Sequence, residues 1–162
     1  SDFWFEWTSL GKAKATPGAV EFTRFCDSLG IEVIYLSNRR TRELEATMHN
    51  MDSLGFAFMK AENFLLVDET SAKKPRRDRV TEKYEIILLL GDNLNDFSEV
   101  FESRGDDWGV SVVEAYKNEF GRSFIIFPNP MYGDWEKSVY EHKSGLNESQ
   151  KFKMRRKAIN AY

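Results

Sequence analysis

The 162-residue sequence is short of several things, and each shortage excludes something. It has one cysteine, Cys26, so neither an internal disulfide nor a cysteine-based structural zinc site can form. It has no basic excess: 23 Lys and Arg stand against 26 Asp and Glu, for a formal net charge of -3. That balance argues against a binder of nucleic-acid polymers, and any phosphate must be held locally. Long apolar runs are missing too. Residues 31–36 and 86–90 are the apolar stretches, far below the roughly 20 residues of a membrane-spanning helix, and they read as buried strands. Residues 1–11 are aromatic and polar, without the charged start and apolar core of a signal peptide. There is no internal repeat and no low-complexity segment. What is present, 41% hydrophobic and 30% charged residues, suits one soluble globular domain with a core of its own.

Along the chain, helical and strand-like segments alternate, the pattern of an α/β domain with a mainly parallel sheet. Pro17 in a first helical turn and Gly30 past the last one bracket a helix with Val20, Phe22, Phe25 and Leu29 near helical spacing. A strand over 31–36 follows. Thr41 opens a second helix that runs through Met48 and Met51 to Leu54 and ends at Gly55. Residues 64–67 form a short strand, and 75–83 a basic helix that tolerates Pro75 in its first turn. The strongest strand spans 85–90, apolar on both faces as a central parallel strand should be. Residues 112–120 read as helix, 123–127 as strand, 135–140 and 148–159 as helices. The last carries Lys151, Lys153, Arg155, Arg156 and Lys157, and a solvated terminal helix is the simpler reading than a phosphate or lipid contact.

In open parallel sheets ligands collect beyond the carboxyl ends of the strands, so the residues after each apolar run carry the first candidates. After 31–36 come Ser37, Asn38, Arg39 and Arg40, where a hydroxyl and turn amides suit phosphate oxygens. Serine and asparagine there are equally good helix caps. After 64–67 comes Asp68-Glu69-Thr70-Ser71-Ala72-Lys73-Lys74, where a lysine would neutralise a phosphate as a compact point charge. A solvated basic loop is the plainer alternative. The third end, Gly91-Asp92-Asn93-Leu94-Asn95-Asp96-Phe97, says more. Two carboxylates four residues apart, directly after an apolar strand, are costly to bury unpaired. A hard cation such as Mg2+ resolves this, because it takes one or two carboxylates with waters and phosphate oxygens. The competing reading is an Asx-rich turn with Asp96 as a cap.

A hydroxyl, then a lysine, then an acidic pair, in that chain order, resembles motifs two to four of the haloacid dehalogenase superfamily. More narrowly the chain resembles its class C bacterial acid phosphatases, the lipoprotein e family of nucleotide phosphatases. The stretches that carry the likeness are Pro17-Gly18-Ala19-Val20-Glu21-Phe22, Tyr35-Leu36-Ser37-Asn38-Arg39, residues 68–77, Gly91 to Phe97, and Pro128-Asn129-Pro130-Met131-Tyr132-Gly133-Asp134-Trp135-Glu136. The last two are the most specific, and Trp4-Phe5-Glu6-Trp7 fits the family's lead-in. The resemblance implies a haloacid dehalogenase-like three-layer α/β sandwich over residues 1–162, as a single incomplete domain. It implies a magnesium-dependent acid phosphatase acting on small phosphate monoesters such as nucleoside monophosphates through an aspartyl-phosphate. Ser37, Asn38 and Arg39 would contact the phosphate, and Lys73, rather than Lys74, would be the motif-three lysine. Asp92 would bind Mg2+, and Asp96 would support the metal's waters or orient Lys73. Tyr132 would stack on a base or aromatic leaving group, with plain packing the alternative for it and for Trp135. Extracytoplasmic location as a lipoprotein, and a homodimer, come from the same resemblance.

The family's first motif, Asp-x-Asp-x-Thr at the end of the central strand, is not in these residues. Asp68-Glu69-Thr70 is its nearest imitation, inside the third stretch. The expectation is therefore a sheet whose central first strand is supplied from outside residues 1–162, by the same gene product or as a second polypeptide. Its alternative is a catalytically inactive remnant that keeps the phosphate and metal pocket.

Overall fold

The structure, a computed structural model, describes residues 2–67, 69–102, 105, 107, 109–129, 133, 135–141 and 143–159, without the side chains of Asp2 and Trp135. The chain divides into two compact units, residues 1–72 and 73–162.

In the first unit α1 (Asp2–Ser9) and α2 (Ala19–Ser28) precede β1 (Tyr35–Arg40), α3 (Leu44–Leu54) and β2 (Phe64–Val67). Helix α2 begins after Gly18, so Pro17 lies ahead of the helix and not in its first turn. Helix α3, entered through a 3-10 turn at Thr41–Glu43, ends as expected at Gly55. That residue sits at φ 87°, where glycine is favoured, and its carbonyl accepts from Arg24 Nε at 2.8 Å. Strand β2 falls where its apolar residues predict it.

Strands β1 and β2 run parallel, pairing Tyr35 with Phe64 and Leu36 with Leu65. The register then slips, so that Arg40 meets Val67. The strand expected over 31–36 is displaced towards the C-terminus. Its early part is engaged by a side chain instead of a ladder: buried Asn63 donates to the Val33 carbonyl at 3.0 Å and to Glu32 Oε1 at 2.7 Å. Ser37 to Arg40 therefore lie on the strand, in its irregular half, and not in a turn after it.

The second unit holds α4 (Lys74–Thr81), β3 (Leu89–Gly91), α5 (Val110–Ala115), β4 (Phe124–Ile126), α6 (Trp135–Val139) and α7 (Glu148–Ala158), with 3-10 turns at Leu94–Asp96 and Glu99–Phe101. Pro75 is tolerated in the first turn of α4. Strands β3 and β4 are parallel, with Leu89, Leu90 and Gly91 opposite Phe124, Ile125 and Ile126. The strand expected over 85–90 is thus shortened to the part that β4 matches. Full cover on both faces does not hold either, since Ile87 is 56% and Leu90 41% exposed. The helix expected over 112–120 stops at Ala115, because the chain turns to bring Phe120 into a bridge with Phe124 and into an aromatic cluster.

That cluster is the core of the unit. Phe97 stacks on Phe124 with centroids 5.0 Å apart, and Phe101 meets Tyr116, Phe120 and Phe124 at 5.6, 6.2 and 6.4 Å. Helix α7 buries none of its residues. Lys151 pairs with Glu148, Arg155 with Glu136 and Lys157 with Glu141, in keeping with a solvated helix. Each sheet has two strands, so neither β1 nor β3 has a second hydrogen-bonded neighbour among the described residues. Among them, too, no helix is long and apolar enough to cross a membrane.

Candidate functional site

The acidic turn after β3 is the most tightly organised part of the second unit. Asn93 and Asp96 cap the 3-10 turn reciprocally. Asp96 Oδ2 accepts from the backbone N–H groups of Asp92 and Asn93, each at 3.1 Å. Its other oxygen, Oδ1, lies 2.7 Å from Lys73 Nζ, both side chains being largely buried. The carboxylate comes so close to the end of β3 that a Cβ on Gly91 would overlap it. A glycine is therefore required there by close approach.

Asp96 caps the turn and, with its other oxygen, forms the ion pair with Lys73. Both oxygens of Asp96 are engaged, which leaves it less suited than Asp92 to ligate a metal. Asp92 differs: its side chain is exposed, with Oδ2 accepting from Asn129 Nδ2 at 2.8 Å. An exposed, acceptor-only carboxylate at a strand end suits one ligand position of a hard cation. Among the described residues no group of three or more His, Cys, Asp or Glu could hold a metal ion. The chain thus fits Mg2+ as a contributor of one carboxylate, the other positions falling to water, phosphate oxygens or residues beyond those described.

Of the two adjacent lysines, Lys73 reaches the acidic turn. Lys74 turns to Asp78, one helical turn on, in an exposed pair at 2.7 Å. Two residues that the sequence reading did not single out also belong here. Asn129, just past β4, holds Asp92. Arg77, buried on α4, donates to the carbonyls of Asn95 at 3.3 Å and Asp96 at 3.1 Å and pairs with Glu99 at 3.3 Å. The spacing of Lys73 and Arg77, four residues apart on a helix, is the one sequence signal that puts them on a common face.

The candidate phosphate contacts lie in the first unit. Ser37 and Asn38 sit on β1 within the register slip, Asn38 exposed and Ser37 half-buried. The amides expected to cradle phosphate are already engaged: Arg39 N–H donates to Ser37 Oγ at 3.2 Å, and Arg40 N–H to Glu43 Oε2 at 2.8 Å. The side chain of Arg39 reaches Thr47 Oγ1 at 2.9 Å and lies 5.9 Å from the Trp7 ring centre. Tyr132 lies outside the described residues, as does Asp68.

Residues 1–135 match the family described as HAD superfamily, subfamily IIIB (acid phosphatase). The class C acid phosphatase from Bacillus anthracis is similar at 36% identity with a TM-score of 0.90, over 98% of this chain and 67% of that one. Its tungstate-bound structure gives 0.91 at the same identity and coverage. A stem 31 kDa glycoprotein of Glycine max is 27% identical over 133 residues, or 78% of this chain. The chain spans 46% of the length of that relative.

Proposed function

The chain belongs to the acid phosphatases of subfamily IIIB of the HAD superfamily, and from that premise we propose that it works in the hydrolysis of phosphate monoesters with Mg2+. Nucleoside monophosphates are the substrate class that the resemblance favours. HAD phosphatases generally use a divalent metal, and Asp92 is the residue that would hold it here. When bound there, a cation would supply charge neutralisation to the phosphate oxygens. Lys73 presents a positive charge beside the acidic turn, oriented by Asp96 and ready to offset phosphate charge. The family resemblance assigns Ser37, Asn38 and Arg39 as hydrogen-bond donors to the phosphate. The tungstate held by the Bacillus anthracis protein is a tetrahedral oxyanion and fits the same reading. The single observation that carries the proposal is the Lys73–Asp96–Asp92 arrangement, a lysine and an acidic turn locked together at the end of a parallel strand.

The attacking carboxylate belongs to an Asp-x-Asp-x-Thr that the 162 residues do not contain, so the proposal assigns it to another part of the gene product. That same observation favours a second reading, a metal- and phosphate-binding remnant without turnover. The two separate in one experiment on the full-length gene product. Hydrolysis of an aryl phosphate that needs Mg2+ and falls by roughly a thousandfold or more in Asp92→Asn supports the enzyme. Binding of Mg2+ and inorganic phosphate with no hydrolysis supports the remnant, and full activity in excess chelator overturns both.

A further inference from the structure

We infer that Arg77 is a positioning residue for the metal-binding carboxylate, acting on Asp92 through the main chain of the acidic turn. The inference rests on the reading of Asp92 given above. It starts from the carbonyls of Asn95 and Asp96, which lie at the end of a 3-10 turn. Helix and turn ends leave such carbonyls without partners from the turn itself. Here Arg77 Nη1 donates to both, at 3.3 and 3.1 Å, from a residue that is 8% exposed. Its Nη2 is held by Glu99 at 3.3 Å, which fixes the plane of the guanidinium. Only a rigid planar fork makes that set of contacts, and an ammonium group cannot reproduce it.

The consequence runs along the chain. The orientation of the Asp96 peptide sets where its side chain starts. From that start the carboxylate has to reach the N–H groups of Asp92 and Asn93 at 3.1 Å, with the end of β3 closed against it by Gly91. Lys73 grips the same carboxylate from the N-cap of α4, where the N–H groups of Arg76 and Arg77 bond its carbonyl. One turn of helix therefore holds the acidic loop twice, by side chain through Lys73 and by backbone through Arg77. Lys73 brings charge towards the substrate. Arg77 brings none to it and sets geometry alone.

The test uses the full-length protein with Arg77→Gln, Arg77→Lys and Glu99→Gln. Amide hydrogen exchange at Asp92 and Asn93 and Mg2+ affinity by calorimetry are measured beside kcat and KM for an aryl phosphate. Arg77→Gln should lose protection at Asp92 and Asn93 while β4 and α7 keep theirs, and should bind Mg2+ roughly 10- to 100-fold more weakly, with KM little changed. Arg77→Lys keeps the buried charge without the fork and should share the defect, which also covers the case in which the Gln variant fails to fold. Glu99→Gln leaves both carbonyl contacts in place and should show the smallest change. Wild-type protection and affinity in Arg77→Lys, or a loss of protection spread evenly over the second unit, overturns the inference. Absence of hydrolysis in the unmutated protein overturns the functional reading, and the exchange arm still judges Arg77.

Discussion

The two units build the same motif, a pair of parallel strands beside helices, from opposite materials. In the first the buried positions are mostly polar, and most of these tie together distant stretches of chain. Asn50 on α3 exchanges two hydrogen bonds with the backbone of Ala13, at 2.8 and 3.0 Å. Thr23 on α2 accepts from the Ala57 N–H at 3.2 Å, Asn63 holds the approach to β1, and Glu43 accepts from Thr8 on α1 at 2.8 Å. The second unit has a polar pin as well, in Arg77, but around it Phe97 and Phe101 lie at 3% and 1% exposure among Tyr116, Phe120 and Phe124, where contact area dominates. The difference bears on function. A polar pin fixes one register and one approach, which suits the irregular half of β1 where Ser37 and Arg39 stand. An aromatic cluster gives a stiff base, from which the turn carrying Asp92 projects after a very short strand.

The comparison is sharpened most by removing the largest aromatic contact. Phe101→Ala deletes a ring with three aromatic partners and leaves a cavity, and should cost about 3–5 kcal/mol of unfolding free energy. Denaturant unfolding of the full-length protein measures it. Phe101→Leu, which keeps most of the volume, should cost less than half as much. A loss below about 1 kcal/mol in Phe101→Ala would show that the cluster is loosely packed, and the contrast between the units would fail.

Next in size is Asn50→Ala. It strands a backbone donor and acceptor at Ala13, each costing about 1–3 kcal/mol if left unsatisfied, with partial recovery from water at these half-buried groups. A total near 2 kcal/mol is expected, with the loss of amide protection concentrated at Ala13 and α3. Asn50→Leu has nearly the right volume and fills the space without the bonds. If it proves as stable as the native protein, the first unit is held by volume as the second is, and the distinction between pins and packing disappears.

The same contrast explains what could be read from the sequence. Apolar runs with helix punctuation located α3 with its stop at Gly55, and β2 over its full length, because both are set by periodicity and local chemistry. They misplaced β1, since the bonds that engage Val33 come from Asn63, 30 residues away. They also made β3 too long, because a strand extends only as far as its partner does, and β4 matches three residues. At the candidate site, carboxylates after an apolar strand marked Asp92 and Asp96 on chemistry alone. The choice of Lys73 over Lys74 came from family likeness, and the geometry supplies its physical counterpart in the bond to Asp96. Arg77 and Asn129 fell inside stretches that carry the family likeness but received no role of their own. The spacing of Lys73 and Arg77 points to a shared face, but a bond to a backbone carbonyl, or from an amide to a carboxylate 37 residues away, leaves no composition to detect.

The smallest expected effect is the pH dependence contributed by one buried carboxylate of the polar unit, Glu43. Burial of Glu43 acts to raise its carboxyl pKa. The Arg40 N–H, the Thr8 hydroxyl, the charge of Arg39 and the Trp4 side chain all favour the carboxylate and outweigh it, so the group titrates below its ordinary 4.5. A folded-state pKa below the unfolded one means a stabilising contribution that is complete above the unfolded value and lost as pH falls through the folded one. Glu43→Gln should therefore cost about 1–2 kcal/mol at neutral pH, where a charged acceptor is replaced by a neutral amide. The gap between variant and native protein should narrow as pH drops below about 4.5. The readout is the urea midpoint against pH, with exchange at Thr8 and Arg40 to localise the change. In Phe101→Leu the gap to the native protein should stay constant over the same range, since no titrating group is touched. A Glu43→Gln gap that is also constant from neutral to acid pH would mean that Glu43 contributes shape and not charge, and the two units would differ less than their buried residues suggest.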